Sequence, residues 1–544
     1  MSTRFDVAAR FPLLRSAGSQ PSALEAAWTY AATLIVVAGA ALRFDHYLSG
    51  HGLWLDEAYL AINILERPVA ALLGPLEYNQ QAPFGFLVLE KLAVALLGPG
   101  ELALRALPFL CGVLVLVVFA RVLRESDVDP MSRLVALTLV AFSEWMIRYS
   151  GEVKQYSLEC LVGLLLYVAA RPLFGSAYDA EWRRSAWRYA SAGAVAMWFS
   201  LTAPVLLAGI NAALLLDRVL RSGSRATYVR LAAVFGAQLA GLAIVYWIDL
   251  RHAAENGWLF EYWQRADGLP GDSMGLASSV LWAFKRFAQT TRDLVLPLPA
   301  EIPAVLVIVA LGWAMVARDT WAMAMLAPIM LLVSAIAAGV YPIAERLAVF
   351  IVPNIAIALT IGLRSCWSAL RLLPISVPQA PGALGVAIPI ILLAQLSVFV
   401  DGVPLTFREE IRPLLETLDR ELDGGDVIYV YYGAQPAFRY YRHLDPERFD
   451  ERRRAIRIVR GRPRDAEWGR FVNDFQQLEG SSRVWLLFSH GTNPASGLDE
   501  ITASRRYLAS RGRLLGSWPA HQAALYLFDL SRADGRKRGG AVEG

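Results

Sequence analysis

The feature that most constrains this chain is a series of apolar runs in blocks, not in helical stripes. Trp28–Leu42, Leu110–Val122, Leu158–Ala170 and Val305–Val316 carry charge at most next to an end (Arg121, Glu159). Each approaches the roughly 20 apolar residues that span a bilayer. With 56% of 544 residues hydrophobic, 18% charged and a mean hydropathy of +0.40, the composition is that of a membrane protein. Sixteen Trp and 20 Tyr suit two interfacial belts.

Eleven spans are expected, at about 25–43, 102–122, 132–148, 155–171, 188–203, 205–219, 229–249, 302–317, 320–340, 346–363 and 383–400. The pair meeting at Thr202-Ala203-Pro204 also reads as one interrupted helix. Arginine sets the orientation, because short cytoplasmic loops are enriched in it. Placing residues 1–24 inside puts Arg4, Arg10 and Arg15, then Arg121, Arg124 and Arg133, on the cytoplasmic side. Arg183, Arg184, Arg188, Arg218, Arg221, Arg225, Arg318 and Arg364 follow them there. The net charge of +4 is thus read as topology, not nucleic-acid binding. Cys111, Cys160 and Cys366 lie in or beside apolar spans and form neither a disulfide framework nor a CxxC site. The first span lacks a small-x-small cleavage site and reads as a retained helix, not a signal peptide.

Two outer segments are long, about 44–101 and 250–300. The first holds helical stretches at Ala58–Leu65 and Phe84–Leu97, the second of these lying along the interface. After Val400 the chain turns charge-rich. Residues 404–530 read as a small α/β domain, with strands at Val427–Tyr432, Ile456–Val459, Val484–Phe488 and Ala524–Leu530. Helices are expected at Arg408–Leu422, Trp468–Leu478 and Glu500–Ser510. The odd span count puts this domain outside, and residues 531–544 read as a disordered tail.

Three outer clusters carry candidate chemistry. Asp56-Glu57 stands just outside the first span, where a carboxylate is costly and tends to be functional; its bland reading is a helix cap. Arg148-Tyr149-Ser150-Gly151-Glu152-Val153-Lys154-Gln155-Tyr156 crowds ionisable groups into one turn, with Glu152 and Tyr156 sharing a helix face and Lys154 pointing elsewhere. Its bland reading is a polar hairpin with snorkelling cations. In Tyr341-Pro342-Ile343-Ala344-Glu345-Arg346, Arg346 opens a span and needs an anion, either Glu345 or a lipid phosphate. Lys91, Arg105, Lys285 and Arg292 are further outer cations, and His490 in Phe488-Ser489-His490-Gly491 reads as a surface loop residue. Two carboxylate sites and several cations on one membrane face suit sugar transfer from a phosphoryl lipid. A carboxylate takes the acceptor's proton, and a cation neutralises the departing phosphate.

At these residues the sequence resembles the GT-C superfamily, in its family 39-like branch: bacterial relatives of dolichyl-phosphate-mannose protein mannosyltransferases and lipid A aminoarabinose transferases. The resemblance runs through Asp56-Glu57, Gln80-Gln81-Ala82-Pro83-Phe84-Gly85-Phe86 and Gly100-Glu101-Leu102-Ala103-Leu104-Arg105. It continues in Glu152-Val153-Lys154-Gln155-Tyr156 and in Tyr341 to Pro353, covering roughly 25–440. It departs at Ala82-Pro83, where the pattern has Pro-Pro, and at Lys154, where it has Arg. It implies an all-α polytopic domain of about 11 transmembrane helices followed by the small α/β domain. It implies Asp56, Glu57 and Glu152 as catalytic carboxylates, and Lys154, Arg346, Arg105 and Arg292 as contacts to the donor phosphate. Tyr59, Gln81, Tyr156 and Tyr341 would touch substrate. The expected partners are a polyprenyl-phosphate-linked sugar, a lipid, glycan or protein acceptor, and the bilayer, with no nucleic acid. Paired carboxylates could hold a divalent cation, but no ligand spacing demands one. Two other classes compete. A lipid or polysaccharide transporter would place its charges near the midplane and show repeats, neither of which is visible. A non-catalytic scaffold would tolerate Asp56→Asn.

Overall fold

The computed structural model describes residues 23–175, 179–251, 257–295, 299–370, 409–462, 468–491 and 499–531. Ten of the eleven expected spans correspond to helices here; the eleventh, at 383–400, lies outside the described residues, as does the tail from Arg532. Among the described residues seven helices are long and apolar enough to cross a membrane, and Pro130–Ala141 and Glu301–Ala317 are shorter apolar helices.

The chain begins with α1 (Ala23–Leu48), then α2 (Leu55–Glu66) and α3 (Phe84–Leu97) in the first long loop. The bundle continues with α4 (Glu101–Arg124), α5 (Pro130–Ala141), the single turn α6 (Glu144–Arg148), α7 (Tyr156–Ala170), α8 (Ala180–Ala196), α9 (Ala203–Leu220) and α10 (Arg225–Val245). The second long loop supplies α11 (Gly257–Arg265) and α12 (Leu276–Val295), followed by α13 (Glu301–Ala317), α14 (Thr320–Ala337) and α15 (Val352–Leu370). The interrupted pair resolves into α8 and α9, two helices separated by turns.

Close helix approach relies on small residues, as membrane packing requires where lipid competes equally for apolar surface. A Cβ on Gly362 of α15 would fall 2.1 Å from the Leu306 carbonyl oxygen of α13, and one on Gly209 of α9 would meet the Pro328 ring of α14. The buried Arg43 is held within the bundle, donating to the Gly39, Val140 and Ala141 carbonyls, the last two at the C-terminal end of α5. In α3 the adjacent Glu90 and Lys91 go to different surroundings. Glu90 is fully buried, which pushes its carboxyl well above the usual range, while Lys91 Nζ donates to the Ile64 carbonyl at 2.5 Å.

The C-terminal domain is a five-stranded sheet in the order β2-β1-β3-β5-β4. Here β1 is Val427–Val430, β2 Arg457–Arg460, β3 Val484–Ser489, β4 Arg513–Ala520 and β5 Ala523–Asp529. The first three strands are parallel, and β5 runs antiparallel to β3 and β4. Its helices are α16 (Arg412–Glu421), α17 (Gln435–Leu444), α18 (Trp468–Gln476) and α19 (Glu500–Ala509). The sequence reading missed α17 and β4. The exposure of β4 alternates over only part of its length, as expected for an edge strand.

This domain is bolted to the first long loop. Arg439 of α17 pairs with Glu66 at the end of α2 and with Glu77 at 2.7 Å. Arg412 reaches Glu101 at 3.0 Å, and the Tyr441 hydroxyl donates to the same carboxylate. Tyr441 also accepts the Leu53 N–H at 3.2 Å. The contacts hold α2 at both ends, through Glu66 at its C-terminus and Leu53 just ahead of its N-terminus.

Candidate active site

The site is organised by the first turn of α2. Trp54 holds extended backbone ahead of the helix, and Glu57 reaches back to accept its N–H at 3.4 Å. Asp56 is therefore a first-turn residue, and the capping bond goes to Glu57. Consecutive helical side chains diverge by about 100°, so the two carboxylates serve different places. Glu57 is fully buried and accepts Arg105 Nε at 3.1 Å and Arg105 Nη2 at 2.8 Å. It also accepts the Val153 N–H at 2.9 Å. Asp56, on the other side, is 21% exposed and accepts Arg346 Nη1 at 2.6 Å.

The turn before α7 delivers the second cation. Residues 149–155 are not helical, so Glu152 and Tyr156 do not share a helix face, and Lys154 points into the site, contrary to the helical reading. The reason is the Glu57 bond to Val153, which draws this turn against α2. Lys154 is buried, donates to Gln80 Oε1 at 2.8 Å, and interacts electrostatically with Asp56. Its neighbour Gln155 donates to the Gln81 carbonyl at 3.3 Å. Glu152, also fully buried, accepts Arg148 Nε at 3.1 Å.

Arg346 stands in a 3-10 segment, Glu345–Ile351, that leads into α15. Pro353 has no N–H to offer the preceding turn, which suits a tighter helix before it. Asp56 is the anion this arginine finds, in place of Glu345, and the Trp263 ring of α11 lies 5.2 Å from the guanidinium carbon. Tyr156, at the start of α7, packs edge-on to Tyr149 and lies near Arg346. The Tyr341 hydroxyl donates to the Leu347 carbonyl at 2.7 Å, fixing the approach to the 3-10 turn. Tyr59 stacks on Tyr78 at 4.4 Å.

Asp56, Lys154, Arg346, Tyr59 and Tyr156 thus come together from three separated stretches of sequence. Three of the remaining expected residues lie elsewhere. Arg105 is spent on Glu57; Arg292 pairs with its neighbour Asp293 at 2.7 Å; and Gln81 contributes a carbonyl, while Gln80 supplies the side chain beside Lys154. Burial would raise the Asp56 pKa, but the charges of Lys154 and Arg346 outweigh it and hold the carboxyl below its ordinary range. Burial lowers the Lys154 ammonium, against the pull of Asp56. Burial, reinforced by Asp56, pushes the Tyr59 phenol up.

The C-terminal domain adds residues that the sequence reading left on a surface loop or did not weigh. His490 Nδ1 lies 2.5 Å from Glu409 Oε1, and Glu409 Oε2 accepts the Leu55 N–H at 3.0 Å, one residue before Asp56. The signal available in the sequence was the position of His490 immediately after a strand, since strand ends commonly carry sites. Among the described residues no group of three or more His, Cys, Asp or Glu side chains could hold a metal ion.

An apolar helix bundle, a loop helix bearing an acidic pair after the first span, and a small α/β domain docked on it make a fold shared with solved structures. The solved structures similar to it include ArnT from Cupriavidus metallidurans in the apo state, at 14% identity and a TM-score of 0.53. That match covers 93% of this chain and 99% of ArnT. ArnT bound to undecaprenyl phosphate matches at 12% identity and 0.52, with the same coverage. The apo oligosaccharyltransferase of Archaeoglobus fulgidus matches at 12% and 0.50, over 86% of this chain and 70% of that one. No protein-family model matches the chain, and no curated protein matches it in sequence.

Proposed function

We propose that this protein is a membrane glycosyltransferase that moves a sugar from a polyprenyl-phosphate carrier to a hydroxyl acceptor on the periplasmic face, in the building of a cell-envelope glycan, lipid or glycoprotein. The observation that carries the reading is Asp56 lying between two cations, Lys154 and Arg346, brought from distant parts of the chain. A phosphate is the natural ligand for two buried or half-buried cations sharing one small carboxylate. A small cleft with both apolar (Leu72, Leu76, Leu201) and polar (Asn79, Gln81, Asp249) lining opens beside Gln80, the partner of Lys154. The shared fold with ArnT, one structure of which holds undecaprenyl phosphate, supports the same donor class.

In this mechanism Lys154 and Arg346 bind the donor phosphate and take up the charge that grows as it leaves. Asp56, released from Arg346 as the phosphate arrives, accepts the proton of the attacking hydroxyl. Glu57 and Arg105 hold the frame, and Glu152 holds Arg148 beside the turn that carries Lys154. The test uses purified protein with undecaprenyl-phosphate hexoses and pentoses and mass analysis of the products. Asp56→Asn should lower turnover by about 10²–10⁴-fold with donor binding retained. Near-normal turnover in this variant would mean that another group takes the proton.

A further inference from the structure

The parallel part of the C-terminal sheet has a switch point that faces the bundle. The connection from β1 runs to β2 on one side, and β3 feeds the strands on the other, so the loops leaving β1 and β3 part in opposite directions. In parallel sheets the crevice between two such carboxyl ends is where ligands bind. Here it is formed by Tyr431-Tyr432-Gly433 after β1 and Ser489-His490-Gly491 at the end of β3. The loops touch: a Cβ on Gly433 would lie 2.6 Å from the Ser489 carbonyl oxygen and 3.2 Å from the His490 Cβ.

His490 is held in this crevice by several bonds. Its backbone has φ +56°, and its N–H donates to the Gln522 carbonyl at 3.2 Å. Its Nδ1 is against Glu409, whose second oxygen accepts from the Leu55 N–H and, at 3.3 Å, from the Ser489 hydroxyl. One carboxylate thus fixes both the imidazole and the start of α2, one residue from Asp56. With Nδ1–H donated to Glu409, the neutral ring presents Nε2 as a proton acceptor. The side chain is 39% exposed. The charged groups that act on it are Glu409 ahead of α16 and Asp56 on α2.

We propose that His490, oriented by Glu409, receives the acceptor's proton from Asp56 and passes it to water, which makes the C-terminal domain part of the catalytic cycle. This rests on the glycosyl-transfer reading. As the acceptor oxygen bonds to the anomeric carbon, the bond from that carbon to the phosphate oxygen breaks. Its electron pair leaves with the polyprenyl phosphate between Lys154 and Arg346. The hydroxyl proton moves to Asp56, then to His490 Nε2, and the imidazolium releases it to solvent. In the resting site the imidazole is the stronger base: Asp56 is held below the carboxylate range by its cations, whereas Glu409 outweighs burial and keeps His490 above its ordinary value. A relay base poised near the working pH is the efficient one.

The test uses the full chain in nanodiscs of total bacterial lipid, following consumption of undecaprenyl-phosphate sugars from pH 5 to 9. His490→Gly and His490→Asn both suit the left-handed backbone at this position, so the fold is spared. Both should lower turnover about 10–100-fold with donor binding within about two-fold, and both should lose the acid limb of the native profile. Added imidazole should restore the Gly variant at least several-fold. A Gly variant that runs at the native rate and keeps the native profile overturns the proposal. So does a loss of turnover matched by an equal loss of donor binding and not rescued by imidazole. A native protein that neither binds undecaprenyl phosphate nor consumes any donor overturns the glycosyl-transfer reading, and the relay with it.

Discussion

Replacing Glu57 by alanine tests whether this carboxylate is a structural latch or a participant in the chemistry. The native carboxylate accepts four hydrogen bonds, two from Arg105 and one each from the Val153 and Trp54 N–H groups. Its removal leaves the Arg105 guanidinium, only 1% exposed, with the His51 and Gly52 carbonyls at 2.8 and 3.2 Å as its remaining partners. Breaking a buried ion pair from one side costs about 3–5 kcal/mol, and an orphaned N–H adds to that. The two surviving carbonyl bonds pull the figure down, so a loss of about 4 kcal/mol is expected. Glu57→Leu with Arg105→Met should recover most of it, because both charges leave together. The measurement is unfolding in a single detergent for the native protein, both single variants and the double variant, with turnover followed on the same preparations. Turnover should fall in step with stability, since the Val153 bond also sets the position of Lys154. A Glu57→Ala protein that melts with the native one yet has lost turnover would refute the latch and make Glu57 a reacting carboxylate.

Lys154→Ala and Arg346→Ala should each weaken undecaprenyl phosphate binding by at least about tenfold as well as slow turnover, read by titration with the lipid, because charge-assisted bonds to phosphate are present before and during reaction. Glu409→Gln should move the acid limb of the rate profile to lower pH. The native His490 pKa is raised by Glu409, so without that charge burial dominates and a lower pH is needed to protonate the ring. The sign for stability is matched: the Glu409–His490 attraction is fully present below the unfolded histidine value and is lost as pH rises through the folded one. An alkaline phosphatase reporter fused after Ser531 should be active if the C-terminal domain lies outside, as the arginine pattern predicts; activity only of a cytoplasmic reporter would reverse the orientation.

What the sequence determined by itself is what local composition can encode. Uncharged runs of bilayer length leave the backbone no solution but helices, so α1, α4, α7, α9, α10, α14 and α15 could be read directly, and Phe84–Leu97 matches α3 residue for residue. Alternation of apolar strands with polar helices was enough for β1, β2, β3 and β5, but β4 faces water over part of its length and left too little apolar signal. The motifs also named Asp56, Lys154 and Arg346. Which of them meet was decided only by the tertiary structure. Asp56 and Glu57 are adjacent in sequence, yet a helical step of about 100° sends one to Arg346 and the other to Arg105. Local reading offered Arg346 either Glu345 or a lipid phosphate and turned Lys154 away; a bond from the Val153 N–H to Glu57, 96 residues back, turns it in. His490 was the least legible of all. Its partner Glu409 is 81 positions away, and the α2 end that Glu409 clamps is a further 354 from Glu409, so only the docking of one domain on the other makes them a site.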